Sequence, residues 1–281
     1  NLTSEANGEV SLRAIWQANT YAVEYDLQGG SLTHERVDCV YGVAFTLETP
    51  VREGYTFDGW SYEGKTYAAG ESVSNLTADD GATIKLTALW HANENTLIFH
   101  ANQGVGEMNS LPVQTEESVT LPKNTFTRAG YTFIGWSSQK DGGVEYDDGA
   151  LYEMGKQTTS VLYACWQANL NTLIMYANNG TEDKLEFTHA TDEKITLVKN
   201  EYTRKGYKFA GWALVNAEGV LYADEAAFVM PADEISYLVA TWTANENVLI
   251  FDANGGEGVE VKQYIHSDEA KQLLPCTYTK E

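Results

Sequence analysis

The sequence predicts a mainly-β chain built as a tandem array of units about 76 residues long. The tryptophans carry the first part of that expectation. Trp60, Trp136 and Trp212 stand 76 apart, as do Trp90, Trp166 and Trp242; the two in each copy are 30 apart, and Trp16 lies 74 before Trp90. Such self-similarity is the mark of a repeat architecture. The second observation is that Trp16, Trp90, Trp166 and Trp242 each close a Leu-x-Ala-x-Trp phrase, the period-2 spacing of a half-buried strand. The third is composition: 24 Gly and 17 Tyr against five Pro and four Met, which suits strands joined by tight turns.

Each unit opens with a strand, reading "YAVEYDLQGG" (21–30), "TLIFHANQG" (96–104), "TLIMYANNG" (172–180) and "VLIFDANGG" (248–256). Alternation puts Leu97, Phe99 and Ala101 on one face with their counterparts Leu173, Met175 and Ala177. The other face varies, with Asp26, His100, Tyr176 and Asp252 at one position. The Asn/Gln-Gly ending is a turn signal, because these residues tolerate positive φ, so a hairpin into a second strand is expected. A variable stretch follows, and "QTEESVTLPKNTFTRA" (114–129) is expected to hold a short helix or a turn.

Next comes "GYTFDGW" (54–60), "GYTFIGW" (130–136) and "GYKFAGW" (206–212). Tyr55 and Phe57 share a face. Strict alternation would send Trp60 to the other face, whereas a bulge at Gly59 would turn it back, and the letters leave both open. The unit ends on "LTALW" (86–90), "LYACW" (162–166) or "LVATW" (238–242), and "LRAIW" (12–16) is expected to form the same half-buried strand. The predicted repeat core is Tyr55, Phe57, Trp60, Trp90, Tyr131, Phe133, Trp136, Trp166, Tyr207, Phe209, Trp212 and Trp242. So small a unit has little else to bury.

The divisions that follow are 1–19 (the end of a preceding repeat), 20–93 (repeat 1), 94–169 (repeat 2), 170–245 (repeat 3) and 246–281 (a truncated repeat 4). With no initiator Met, the chain reads as an internal piece of something longer, and 256–281 is expected to be mobile or poorly packed. The junctions "HANENT", "QANLNT" and "TANENV" contain neither Gly nor Pro. Flexible linkers are longer and Gly/Ser-rich, so a repeated docking geometry and a stiff rod are expected.

These phrases resemble the internalin-type B repeat, also called the Listeria–Bacteroides repeat. Gly130, Tyr131, Phe133, Gly135 and Trp136, then Leu162, Tyr163, Ala164 and Trp166, follow the family pattern; "MPADEISYLVATW" (230–242) follows its closing stretch. Repeat 1 departs at Thr87, where a tyrosine is usual. The resemblance implies a small α+β unit that varies the β-grasp fold, in tandem on a bacterial cell-surface protein whose anchor lies outside this segment. It implies no shared catalytic residues.

The residues themselves also offer no chemistry. His34, His91, His100, His189 and His266 lack metal-ligand spacing, although His189 and His266 end the similar phrases "FTH" and "YIH". Asp79-Asp80 and Asp147-Asp148 lie in Gly-containing turns without the regular oxygen spacing of a calcium loop. Cys39, Cys165 and Cys276 form no disulfide framework. "LPKNT" (121–125) only superficially matches a sortase signal, and the sequons at Asn1, Asn75 and Asn179 mean little in a bacterial chain. With 18 basic against 40 acidic residues, net −22, nucleic acid and anionic membranes are disfavoured partners. No 18-residue apolar run is present, so membrane insertion is not expected. No catalytic, metal or cofactor site is expected. The reading is a monomeric stalk and adhesion module, with a host-surface or cell-wall glycan or protein as partner. The alternative is glycan-binding accessory repeats of a secreted enzyme, for which Tyr67, Tyr146 and Tyr222 are the candidate ligand-facing aromatics.

Overall fold

A computed structural model describes residues 5–215 and 221–280. Asn1 of the first sequon and Glu281 at the tail lie outside the described residues. All the regular structure among them is β. By its contacts the chain separates into two compact units: Asn1–His100 with Met108–Asn124 and Trp136–Tyr163, and Ala101–Glu107 with Thr125–Gly135 and Ala164–Glu281.

In the first unit, an opening strand (Thr20–Asp26) lies between a second strand (Arg36–Val40) and a closing strand (Thr83–Ala92). The closing strand pairs on its far side with the aromatic-phrase strand (Tyr55–Tyr62), and Lys65–Tyr67 completes the sheet. Opening and closing strands run parallel; the other pairs are antiparallel. A ribbon of Phe45–Thr46 with Ser72–Val73 supplies Leu47 and Val73 to the core, which also holds Tyr21, Val23, Tyr25, Trp60, Leu86 and Ala88. Repeat 3, in the second unit, has the same order: Lys184–Ala190, Leu170–Tyr176, Ile235–Ala244, Tyr207–Leu214, Leu221–Tyr222. Its ribbon, Lys194–Thr196 with Ala227–Val229, lies beside a core of Leu173, Met175, Trp212, Phe228, Met230 and Leu238. The middle sheet runs Tyr131–Ser137, Thr159–Ala168, Glu94–His100, Leu111–Gln114.

The alternation of the closing strand sets its buried face: Leu86 and Ala88, Leu162 and Ala164, Leu238 and Ala240 are at most 3% exposed. The register of the aromatic-phrase strand settles the question the letters left open. It slips between Phe57 and Gly59 and between Phe209 and Gly211, which makes each a β-bulge. Trp60 therefore returns to the face of Phe57, 5.2 Å away edge to face, and is fully buried. Glycine is required there, since φ is +137° at Gly59 and a Cβ would sit 2.7 Å from the Tyr67 carbonyl.

Two expectations are made specific and one is corrected. Over 114–129 the chain takes the turn rather than the helix: Glu116 turns it at φ +61°, and Ser118–Thr120 pairs with Leu151–Glu153 as a ribbon. The opening and second strands form the expected antiparallel hairpin, with the Asn/Gln-Gly turn at the start of a loop of several residues. "LRAIW" is not a strand; Leu12, Ile15 and Trp16 are 79%, 97% and 89% exposed. A closing strand is held between an opening strand and an aromatic-phrase strand of its own repeat, and residues 5–19 have neither beside them. In the tail, Glu246–Phe251 pairs with Val261–His266, and the Gln263 side chain bonds both Gln272 and Leu274. Val248, Ile250 and Leu273 nevertheless stay about half exposed.

Candidate functional site

The feature that recurs most faithfully is the joint between successive repeats. One residue separates each closing strand from the next opening strand: Asn93, Asn169 and Asn245. Its N–H donates to the carbonyl of Gly54, Gly130 or Gly206, at 3.0, 2.8 and 2.8 Å. Its carbonyl accepts the N–H of Thr115, Thr191 or Ser267, in the turn after the next second strand. The glycine is fixed twice over. Its φ is +79°, +73° or +82°, and a Cβ there would come within 2.6–2.8 Å of that Thr or Ser side chain.

The tyrosine after each of these glycines crosses the joint. Tyr55 donates its hydroxyl to Glu116 at 2.6 Å, Tyr131 to Asp192 at 2.8 Å and Tyr207 to Asp268 at 2.7 Å, always 61 residues on. Arg52, Arg128 and Arg204 lie over the tyrosine rings at 3.6, 3.6 and 4.1 Å, within cation–π range. The Tyr55 hydrogen bond, with Lys156 nearby, holds the Glu116 carboxyl below its usual range. The same bonds to Glu116, Asp192 and Asp268 push the three tyrosine hydroxyls up. A second layer is buried in the first two joints: Asn95 donates to Thr115 at 2.9 Å and Asn171 to Thr191 at 2.8 Å, all four at most 4% exposed. Thr56 and Thr132 donate to the Asn93 and Asn169 side chains at 2.7 Å; Lys208 takes that place in the third joint.

The sequence pattern of the Listeria-Bacteroides repeat domain matches residues 21–85, 96–164 and 173–236. The chain belongs to this repeat-domain family. Relatives of the repeat domain include a "Putative membrane protein" of Evansella cellulosilytica, 30% identical over 172 residues, which are 59% of this chain and 25% of the relative. A "Putative Gly-rich membrane protein" of the same organism is 29% identical over 241 residues, 80% of this chain and 26% of the relative. Internalin H of Listeria monocytogenes is 31% identical over 142 residues, 50% of this chain and 24% of the relative. The chain thus spans about a quarter of the length of each.

Within the repeat domains, the predicted core aromatics divide into three groups. Trp60, Trp136 and Trp212 are fully buried. Phe57, Phe133 and Phe209, with Trp90, Trp166 and Trp242, are half-buried and pair edge to face at 5.2, 5.7 and 5.7 Å. The indole N–H groups of these last tryptophans hold the loop after the opening strand, donating to Leu27, Ala101 and Ala177 carbonyls. Tyr55, Tyr131 and Tyr207 are half-buried at the joints, not in the core. Sequence reasoning grouped them with the core because Tyr and Phe alternate in one phrase; the constant offset to an acidic residue was the signal for their role.

The candidate ligand-facing tyrosines do not stand free. Tyr67 packs on the repeat 1 core, Tyr146 meets Tyr152 edge to face at 5.3 Å, and Tyr222 meets Phe228 at 5.2 Å. His34, His91, His189 and His266 each lie beside a single carboxylate. No group of three metal-ligating side chains occurs among the described residues. The acidic turns tie backbone: Asp80 accepts the Thr20 N–H, and Asp148 that of Asn124. Cys39 and Cys165 are buried and Cys276 is exposed. No helix among the described residues is long and apolar enough to cross a membrane.

Proposed function

We propose that this chain is a non-catalytic stalk and spacer of a bacterial cell-surface protein, holding other domains away from the wall, and that adhesion to host-surface or cell-wall material is carried on it. The repeats run 20–93, 94–169 and 170–245, flanked by 1–19 and 246–281. Each is a variation on the β-grasp fold in which the two-stranded ribbon stands in the helix's place. The observation that carries this reading is the joint: three times, the same Gly, Tyr, Arg and Asn meet the same turn at the same offsets. Identical joints propagate a regular array. The relatives' names, two membrane proteins and an internalin, agree with a surface setting. The partly buried Tyr67, Tyr146 and Tyr222 weigh against the alternative of glycan-binding accessory modules.

Small-angle scattering of the whole chain tests the stalk. Three units of roughly 30 Å plus the ends should give a maximum dimension on the order of 100 Å. A radius of gyration near the ~19 Å of a single globule of this length would overturn the reading.

A further inference from the structure

We propose that each repeat is a shear clamp, so that the protein resists tension applied along its chain. The reading as a stalk supplies the source of the tension; the clamp itself rests on strand order alone. In every repeat the first strand in sequence and the last are hydrogen-bonded neighbours and run parallel. The pairs are Ala22–Asp26 against Thr83–Thr87, Thr96–His100 against Thr159–Tyr163, and Thr172–Tyr176 against Ile235–Val239. The ladder starts with an equivalent bond each time: Ala22 N–H to Ala82 O at 2.8 Å, Thr96 N–H to Thr158 O at 3.0 Å, Thr172 N–H to Glu234 O at 2.8 Å.

This placement decides how force acts. Tension enters a repeat at the N-terminal end of its opening strand and leaves at the C-terminal end of its closing strand. For two parallel strands side by side, those points are at opposite ends of one ladder. The pull therefore slides one strand along the other, and every bond of the ladder is strained at once. Had the two strands been antiparallel, the same pull would have opened the ladder bond by bond. Parallel ladders have evenly spaced bonds, so the strain is shared along their length.

The rest of the repeat is shielded. The second strand, the ribbon and the aromatic-phrase strand all lie between these two strands in sequence, yet outside the line of force. They extend only after the ladder fails. Tension also passes directly from one clamp to the next, because Asn93, Asn169 and Asn245 are the sole residues between consecutive closing and opening strands. There is little free chain to stretch before a clamp is strained, and the joint bonds flank the same residue.

Single-molecule pulling on the full chain tests this in two ways. With handles at the two ends, the three complete repeats should fail as discrete steps, each releasing about 250 Å of chain at the extended length per residue. In a second pair of full-length variants, Cys39, Cys165 and Cys276 are replaced by Ala and new handle cysteines are placed on the repeat 2 ladder. T96C with Y163C pulls from opposite ends; T96C with T159C pulls from one end. Opposite-end pulling should need at least about two-fold more force at equal speed, because the parallel bonds yield together. Matching thermal melts for the two variants confirm equal folding. Equal forces in both geometries would overturn the clamp, as would end-to-end extension without steps. A short scattering dimension with the force ratio retained would sink only the stalk; a long array with equal forces would sink only the clamp.

Discussion

Tyr55 has two partners from two directions: Arg52 over its ring and Glu116 at its hydroxyl, in the following repeat. Both contacts are partly solvated, so their value is geometric more than energetic. Tyr55→Phe keeps the ring and loses the bond across the joint. Repeats 1 and 2 should stay folded while the Asn93 and Thr115 amides, which bridge the joint, exchange faster. Unchanged exchange at both would show that the tyrosine is incidental. pH acts on the same pair. Glu116 is held below its ordinary 4.5, so its contribution is present above that pH and is lost as pH falls through the folded value. Tyr55 is raised above its ordinary 10.0, so its contribution is present below that pH and is lost as pH rises through its folded value. In wild type, protection of Asn93 and Thr115 should therefore fall in acid below pH 4.5, after correction for intrinsic exchange. In Tyr55→Phe this acid limb should be weaker, because the bond that chiefly lowers Glu116 is gone.

At the scale of the element, the bulge turns an alternating phrase into a core anchor. Gly59→Ala places a methyl group against the Tyr67 carbonyl at a backbone angle that L side chains rarely adopt. Strain of this kind costs about 1–3 kcal/mol. The loss should appear in repeat 1, with repeat 3 unaffected, as judged by exchange resolved along the chain; an unchanged repeat 1 would mean the strand relaxes without its bulge. The bulge also shows where the letters stop being informative. "GYTFDGW" reads equally well as a flat strand or a bulged one, because the register shift lies in the pairing of Phe57 and Gly59 with Trp90 and Leu89. Strand identity was legible wherever one face is buried, as at Leu86, Ala88 and Trp90. "LRAIW" has the same letters and no strand, since a closing strand exists only through its two neighbours. The turn at Glu116 was legible only as one of two options, because no Gly marks its positive φ. The joint itself was half legible, in the repeated x-Ala-Asn phrase. Its tyrosine and acid stand 61 residues apart, so only the constancy of that offset over three copies marks them.

For the whole molecule the question is how far a local failure spreads. A unit of this length carries about 4–11 kcal/mol of stability at ordinary per-residue values. Trp136 is fully buried, and its ring lies 5.2 Å from that of Phe99. Trp136→Ala should cost about 3–5 kcal/mol in lost transfer and cavity terms, which is comparable to the whole stability of its repeat. Each of the three repeats has its own closing strand and its own buried tryptophan anchor. Units coupled in a nearest-neighbour way fail one at a time. Hydrogen exchange of the full-length variant should therefore show protection lost across residues 94–169. Repeats 1 and 3 should keep theirs, apart from the amides at the joints with repeat 2: Asn93 on one side and Asn169 and Thr191 on the other. Loss of protection through all three repeats together would mean the joints fuse them into one cooperative body. Retained protection across 94–169 would mean that the tryptophan anchors less than its burial implies.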